Sequence, residues 1–293
     1  MIAEFDQRAW LARIGYSGSL EPTLSTLHQV IFAHSRAIAY ESLDIMLGRI
    51  PRLDLISLQR KMITDGRGGY CLEQNKLFRE GLRSLGYNIT SLQGRVVRGM
   101  AIDASRPAIH MLLQVNLPEG PYLADVDFGN LAPTAALLLR PGVEQATPHE
   151  TMRFIDIGGE LTLQSRLRDT WEHIYRVIPY PRYDGEYEIT NWYTSTHPDT
   201  PYQSNIIAAR PGRNRTRLTM FNARHGAARV GRGRAAISQG RGGIPVGLKG
   251  RVRPEHVGRR HPGVYLGNGA ESGKSSAAPV LRLIPSRGQC HAQ

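Results

Sequence analysis

The sequence predicts an α+β protein in which an N-terminal helical bundle precedes an antiparallel sheet or small barrel. Two changes of pattern along the 293 residues lead to this prediction. Apolar residues recur at helical spacing up to Gly86, and short β-branched or alternating runs begin at Asn88. A mixed segment then begins a third unit near residue 181, and a Gly- and Arg-rich tail follows it.

Residues 1–86 carry the helical pattern. In two stretches the apolar side chains fall on one helical face: Leu24, Leu27, Val30 and Ile31 in the first, and Leu72, Phe78, Leu82 and Leu85 in the second. Gly86 is well placed to end the second helix. A small helical bundle over residues 1–86 is the simplest interpretation.

Residues 87–180 have the pattern of strands. Short runs such as "ITSLQGRVV", "IHMLLQVNL" and "WEHIYRVI" are separated by Gly, Pro and Asn. Such spacing favours an antiparallel sheet or a small barrel. Residues 181–222 are mixed in pattern and are interpreted as the start of a third unit.

The tail, residues 223–293, differs in composition from the rest of the chain. Residues 222–293 hold 13 of the 37 Lys and Arg but 2 of the 25 Asp and Glu, so the net charge of +12 belongs almost entirely to the tail. After Arg224 neither helical nor strand period is visible, and such a composition buries too little apolar surface to offset its ordering entropy. We therefore expect the tail to be disordered, or to be largely out-of-frame translation beginning near Arg224.

Cysteine content and hydropathy bear on the compartment. Two cysteines, Cys71 and Cys290, cannot build a disulfide framework, and the N-terminus lacks the basic and apolar pattern of a signal peptide. No stretch approaches the roughly 18 apolar residues that a membrane helix needs. We expect a cytoplasmic protein without membrane contact.

The stretch "RGGYCLEQN" places Cys71 between a glycine turn and the start of a helix. A helix N-terminus favours a thiolate, but by at most about 2 kcal/mol, whereas a strongly acidic thiol needs about 4 kcal/mol. A histidine partner, oriented by a carboxylate, is therefore predicted. Of ten histidines, His110 is the best placed because it opens an apolar strand, and the next strand ends with Asp125 and Asp127. The strand pattern alone does not choose between these two carboxylates.

Three motifs in order, "RGGYCLEQN", "IHMLLQV" and "DVDFG", resemble the signature of arylamine N-acetyltransferases. The resemblance extends over residues 1–222, with weaker matches at "IAYESLDIMLGR", "LAPTAALLL" and "NWYTSTHPDTPYQSNIIAAR". It implies a helical bundle, a β-barrel and a C-terminal α/β lid. The lid is expected to be incomplete here, because the tail does not continue the family's pattern of strands and a final helix.

The resemblance also implies roles for individual residues. Cys71 would be the nucleophile, His110 the base that activates it and Asp125 the orienting carboxylate, whereas the acceptor pocket would be formed by Tyr40, Tyr70 and Phe128. The expected reaction is ping-pong acetyl transfer from acetyl-CoA, as co-substrate and without a metal, to aromatic amines and hydrazines. O-acetylation of N-hydroxyarylamines would use the same acetyl-cysteine.

The sequence departs from the family's pattern beside this predicted triad. Asp127 stands where the family usually has glycine, and it adds a charge and a side chain there. Ala39 and Ser42 replace the usual proline and asparagine of the early segment, which are milder changes.

Two other functions are compatible with the sequence. A thiol hydrolase or transglutaminase-like enzyme uses Cys, His and Asp in the same order with a different acyl donor. Alternatively, an inactive fold would bind nucleic acid through the basic tail. The second is disfavoured because Tyr265 is the one aromatic residue between residues 222 and 293, and single-stranded nucleic acid binding relies on aromatic stacking. The oligomeric state is not indicated by the sequence.

Overall fold

The computed structural model describes residues 4–222 and 224–229, which belong to one compact unit. The N-terminal part is helical, with one short strand inserted. In chain order its elements are α1 (Gln7–Ile14), α2 (Leu24–Ala37), β1 (Tyr40–Glu41), α3 (Leu43–Met46), α4 (Leu55–Gln59) and α5 (Cys71–Ser84), and α4 continues into a π-helical turn over Arg60–Thr64.

Side-chain caps determine where several of these helices begin. The Asp6 carboxylate accepts a hydrogen bond from Ala9 N–H at 2.8 Å, and Thr23 accepts one from Thr26 N–H at 3.2 Å. At the other end of α1, Gly15 adopts a left-handed conformation with φ of 66°, which suits glycine. These local signals are independent of the rest of the fold.

Trp10 holds the bundle together. Its side chain is fully buried, contacts the Phe78 ring edge-on and donates its indole N–H to His34 Nδ1 at 3.2 Å. A side chain larger than hydrogen at Gly81 would lie 2.7 Å from the indole, so α1 can approach α5 closely only because residue 81 is glycine.

The central part is an eight-stranded, fully antiparallel sheet. Its strands are β2 (Asn88–Val96), β3 (Ala108–Leu117), β4 (Gly120–Ala124), β5 (Leu137–Leu138), β6 (Glu144–Ala146), β7 (Thr151–Ile157), β8 (Glu160–Leu167) and β9 (Thr170–Ile178). The spatial order is β5-β4-β3-β2-β9-β8-β7-β6. The two edge strands are joined by the Gln145 side chain, which exchanges hydrogen bonds of 2.7 and 2.9 Å with the Leu138 backbone. The sheet is therefore nearly closed into a barrel.

The third part combines one helix with a second sheet. α6 (Asp184–Thr196) is followed by a 3-10 turn over Pro201–Gln203 and by the strands β10 (Ile207–Pro211), β11 (Thr216–Phe221) and β12 (Arg224–Arg229). The spatial order of the second sheet is β1-β10-β11-β12, so a strand from the helical segment forms its edge.

The predicted α+β class is confirmed, but the end of the lid lies further along the chain than predicted. We expected no strand after Arg224, yet β12 pairs with β11 from Arg224 opposite Phe221 to Arg229 opposite Thr216. Backbone hydrogen bonds between strands do not require alternating side chains, which is why the pattern gave no signal. The remaining tail predicted to be disordered or out of frame, residues 230–293, lies outside the described residues. Among the described helices, none has the length and apolar character to span a bilayer.

A buried ion pair fastens the second sheet to the barrel. Arg217 on β11 donates through Nε to Glu150 Oε1 at 2.9 Å and through Nη2 to the Ala132 carbonyl at 3.0 Å, and the side chains of the pair are 3% and 0% exposed. Glu150→Gln should lower the free energy of unfolding by about 3 to 5 kcal/mol, because it leaves a buried guanidinium without its counter-charge. Urea denaturation measures this change.

The exposed pair Arg52 and Asp54 provides the control, since the Arg52 side chain is 78% exposed. Arg52→Gln should change the free energy of unfolding by no more than about 1 kcal/mol. Equal losses in the two variants would show that the buried pair does not stabilise the lid.

Candidate active site

The turn before α5 is held against β1. Gly69 N–H donates to the Ala39 carbonyl at 3.2 Å, and Glu41 N–H donates to the Gly69 carbonyl at 3.0 Å. A Cβ at Gly68 would lie 2.1 Å from the Ala39 oxygen. Gly68 is thus required for close backbone approach, whereas the bend itself uses Gly66, which has φ of +65°.

Cys71 is the first residue of α5, as the sequence predicted. Glu73 fixes the helix start, since its carboxylate accepts Tyr70 N–H at 3.1 Å and pairs with Lys61 Nζ at 2.7 Å. Burial raises the pKa of Glu73 to about 7 even though the Lys61 charge and the Tyr70 N–H act in the opposite direction.

The thiol of Cys71 is buried among groups that disfavour its charge. Burial first, and then the carboxyl groups of Asp127 and Asp125, raise the pKa of Cys71 well above its ordinary value. Hydrogen bonds from the N–H groups of Leu72 and Met111 to Sγ lower it, but by less. As the sequence predicted, the helix end alone therefore does not make the thiol acidic, because the lost hydration and two carboxyl groups outweigh it.

A β-bulge presents His110 to the same region. His110 is paired with Gly94 of β2, but the next pair is Ala108 with Arg95, so Ile109 is an extra residue on β3. Bulges bend a strand and redirect its side chains. The Cys71 Sγ lies 4.0 Å from the Ile109 carbonyl oxygen, which places the thiol beside the bulge.

Asp125 is fully buried and accepts four hydrogen bonds. One oxygen, Oδ2, contacts His110 Nε2 at 2.8 Å and the Tyr175 hydroxyl at 2.9 Å, while Oδ1 accepts Asn75 Nδ2 at 2.9 Å and Asp127 N–H at 3.0 Å. Burial alone would raise the pKa of Asp125, but the charge and hydrogen bond of His110, followed by the other donors, hold it below its ordinary value. Asp125 is therefore a carboxylate.

The carboxylate determines the tautomer of His110. An ionised Asp125 can only accept, so the His110 Nε2 carries a proton, and Nδ1 is the nitrogen that holds the lone pair whenever the ring is neutral. The imidazole packs against the rings of Phe128 and Tyr175, each with its centroid 5.1 Å away. This packing holds the ring in one orientation.

The strand pattern left the choice between Asp125 and Asp127 open, and the resemblance implied Asp125. In the structure the choice follows from where β4 ends. In the β3–β4 ladder Leu113 faces Ala124, so an unbroken register would bring Asp127 opposite His110. The ladder stops at Ala124, and the chain then turns so that Asp125 reaches the imidazole.

A cavity of about 360 Å³ opens beside the cysteine and the histidine. Its lining is mostly apolar, with polar groups near the thiol. The lining residues used below are Tyr40, Cys71, Arg98, His110, Asp127, Phe128 and Tyr202, together with aliphatic and aromatic side chains of β2, β10 and β11.

Comparisons with known proteins agree on one family. A sequence model described as N-acetyltransferase matches residues 23–237. The arylamine N-acetyltransferase of Mycobacterium tuberculosis is 39% identical over 209 residues, which are 70% of this chain and 74% of the relative. The chain belongs to the arylamine N-acetyltransferase family.

Further members support this assignment in sequence and structure. The Salmonella typhimurium arylamine N-acetyltransferase / N-hydroxyarylamine O-acetyltransferase is 33% identical over 202 residues, 69% of this chain and 71% of the relative. The structure of the Mycobacterium marinum arylamine N-acetyltransferase in complex with CoA superposes with a TM-score of 0.73 at 36% identity, over 76% of this chain and 83% of the other. This chain is therefore an acyltransferase of that family.

In this family member, one of the three predicted pocket residues lies elsewhere. Tyr40 and Phe128 line the cavity, but Tyr70 is not among the lining residues. Its side chain is fully buried, and its hydroxyl donates to Asn191 Oδ1 on α6. Tyr70 thus connects the cysteine turn to the third part of the fold. Tyr202, whose ring contacts that of Tyr70, lines the cavity and was not identified from the sequence.

Two residues that position Asp125 were not identified from the sequence. Asn75 lies one helical turn after Cys71, and its amide also donates to the Met111 carbonyl at 2.9 Å and accepts Val126 N–H at 3.1 Å. Its i, i+4 spacing from Cys71 was a usable signal. Tyr175 on β9 is fifty residues from Asp125, and no sequence pattern indicated the contact.

The close approach at Gly68 gives a testable prediction. Gly68→Ala forces the turn away from Ala39, so we expect reduced stability by about 1 to 3 kcal/mol and slower alkylation of Cys71 by iodoacetamide. The matched control is Gly185→Ala, because nothing lies within 4 Å of a Cβ there. Unchanged stability in Gly68→Ala would contradict the predicted clash.

Asp127 gives a second prediction, on how the free energy of unfolding depends on pH. Burial first, and then the Asp125 charge, raise the pKa of Asp127 well above its ordinary value, and its Oδ2 has no hydrogen-bond partner. The folded state therefore holds this proton more tightly than the unfolded state, so stability falls as pH rises from about 4 toward the folded pKa. Asp127→Asn removes this loss and should be more stable than the parent protein at pH 8, by about 1 to 3 kcal/mol.

Chemical denaturation at several pH values measures this difference. The gain should disappear near and below pH ~4, where the carboxyl is protonated in both states. Asp169→Asn, at an exposed position, is the control and should show no such pH-dependent gain. A gain of the same size at pH ~3.5 and pH 8 would be inconsistent with a raised pKa.

Proposed function

We propose that the chain transfers an acetyl group from acetyl-CoA to aromatic amines and hydrazines through an acetyl-cysteine. Cys71 serves as nucleophile, His110 as the base and Asp125 as the carboxylate that orients it. The observation that supports this proposal most directly is that Cys71 and His110 line the same cavity, while His110 Nε2 is hydrogen-bonded to Asp125. The CoA complex of the Mycobacterium marinum relative supports a coenzyme A thioester as donor.

The first half-reaction acetylates the enzyme. Since burial keeps the Cys71 thiol protonated, its proton must move to His110 Nδ1 as attack begins, and the Asp125 carboxylate stabilises the resulting imidazolium. Sulfur attacks the thioester carbonyl, the bond from that carbon to the CoA sulfur breaks, and His110 returns the proton to the departing thiolate. The N–H groups of Leu72 and Met111 stabilise the Cys71 sulfur while it is anionic.

The second half-reaction passes the acetyl group to the amine. An arylamine is largely unprotonated at neutral pH, so its nitrogen can attack the acetyl-cysteine while His110 Nδ1 accepts its proton. Cys71 leaves as thiolate and is reprotonated. Tyr40 and Phe128 supply aromatic surface for the acceptor ring. The O-acetyltransferase activity in the name of the Salmonella relative supports O-acetylation of N-hydroxyarylamines as a second outcome of the same intermediate.

Intact-protein mass spectrometry tests this mechanism. After mixing with acetyl-CoA, the protein should gain one acetyl group, and addition of an arylamine should remove it with formation of the acetanilide. Cys71→Ala should gain none and should lose turnover by at least about 10³-fold. Cys290→Ala, which removes the other cysteine, is the matched control and should still be acetylated.

Two results would decide against the proposal. An acetyl adduct that persists in Cys71→Ala would assign the acyl group to another residue. Acetyl loss to water at the same rate with and without arylamine would favour the thiol hydrolase alternative.

A further inference from the structure

Asp127 is a buried carboxyl group in the cavity wall that the proposed mechanism does not use. It is 2% exposed and borders the same cavity as Cys71. One oxygen accepts the Gly129 N–H, and the other, Oδ2, has no hydrogen-bond partner among the described residues. A buried carboxyl in this condition is normally satisfied by a ligand or held neutral.

The groups whose charges act on Asp127 are acids, and His110, which lines the same cavity, is bound to Asp125. These acids come from α5, from β1, from the loop after β4 and from the 3-10 turn, and they are Cys71, Glu73, Tyr40, Glu41, Asp125 and Tyr202. Lys61 pairs instead with Glu73 and Asp44 at 2.7 Å each, and Arg67 pairs with Glu41 at 2.8 Å. Within the described residues, therefore, no cation neutralises Asp127.

The other charged side chains that line the cavity already have hydrogen-bond or ion-pair partners. Arg98 donates to Asn130 Oδ1 at 2.7 Å and lies 3.8 Å from Glu172 Oε2, while His110 is bound to Asp125. A cationic ligand group entering this cavity would find one carboxyl oxygen without a partner, next to the thiol. Aromatic faces of Tyr40, Phe128 and Tyr202 in the same wall also favour a cation.

This environment bears on which amines can react. An arylamine enters as the free base, but an alkylamine with a pKa near that of lysine, about 10.4, is almost wholly ammonium at pH 7, with on the order of one molecule in 10³ unprotonated. An apolar cavity without a carboxylate would exclude the ammonium form, because a buried charge must be paired. A carboxylate beside the reacting sulfur removes that obstacle.

We propose that Asp127 extends the acceptor range to aralkylamines, by pairing with the ammonium group and taking its proton next to acetylated Cys71. The inference rests on the proposed acetyl-cysteine mechanism. When the ammonium binds, Asp127 releases its proton to water, so that the ammonium and the carboxylate form a neutral pair. One proton then moves from nitrogen to Oδ2. The freed lone pair then attacks the acetyl carbon.

The remaining steps follow those for an arylamine. A C–N bond forms, the C–Sγ bond breaks, and His110 takes the second nitrogen proton while Cys71 leaves as thiolate. The neutral amide departs, Asp127 keeps the proton that it took from the ammonium and is protonated as at the start, and His110 returns its proton to Cys71. The net change is an ammonium plus acetyl-cysteine giving an N-alkylacetamide, a thiol and one proton.

The first experiment uses the unaltered protein with benzylamine and aniline as acceptors. The ratio of their kcat/KM values, measured from pH 6 to 10, cancels the pH dependence of the catalytic steps that both amines share. If Asp127 takes the ammonium proton, this ratio should stop rising once Asp127 is ionised, well below the pKa of benzylamine. A ratio that climbs tenfold per pH unit up to the amine's own pKa would overturn the inference.

The second experiment replaces the carboxyl group of Asp127 with an amide of nearly the same shape. In Asp127→Asn the benzylamine-to-aniline ratio at pH 7 should fall on the order of 10²-fold, and it should climb with pH up to the amine's pKa. Asp169→Asn is the exposed control and should keep the ratio of the parent protein. An Asp127→Asn ratio equal to the parent's at every pH would also overturn the inference.

The outcomes separate this inference from the proposed function. Acetylation of aniline through Cys71 without the expected ratio behaviour refutes only the role of Asp127. Failure of both amines to accept acetyl from a demonstrably acetylated Cys71 refutes both the acceptor assignment and the inference. Mass spectrometry of the acetyl-enzyme, measured on each variant, shows that the protein being compared is folded and loaded.

Discussion

The structure depends on the hydrogen bonding of one buried carboxylate, Asp125. Its two oxygens receive donors from three separate elements, Asn75 on α5, His110 on β3 and Tyr175 on β9, and from the backbone of its own loop. A fully buried carboxylate is tolerable only when such donors replace water. The same bonds therefore join the helical bundle to the barrel and set the orientation and tautomer of His110.

A second constraint is the contact between the cysteine turn and β1. Across this contact the Gly69 N–H donates to the Ala39 carbonyl and the Glu41 N–H donates to the Gly69 carbonyl, and Gly68 is needed because its neighbour is a carbonyl oxygen. β1 is also the edge strand on which the second sheet is built, through the pairing of Tyr40 with Ala209. The position of Cys71 and the position of one cavity wall are consequently coupled through a strand of two residues.

The site contains a buried acid, Asp127, that lowers the stability of the fold, although the reaction at the same site needs Cys71 as a thiolate. Burial and the nearby carboxyl groups keep Cys71 protonated at rest, so the reactive form arises only by transfer of the proton to His110. Asp127 adds to this resistance, and burial and the Asp125 charge raise its own pKa well above the ordinary value. Selection for stability alone would not retain such a group, which is consistent with a role toward a ligand.

The sequence by itself determined the α+β class, the helix that begins at Cys71 and the three motifs that indicate the family, because these depend on periodicity, caps and local spacing. The strand pattern did not determine which aspartate meets His110, because that depends on where the β4 ladder ends, and only the resemblance implied Asp125. Nor did the sequence show that β12 exists, that Tyr70 faces α6 instead of the cavity, or that Tyr175 supports Asp125. These features arise from pairings and packing between distant segments, and the raised pKa of Cys71 likewise depends on burial that only the assembled fold creates.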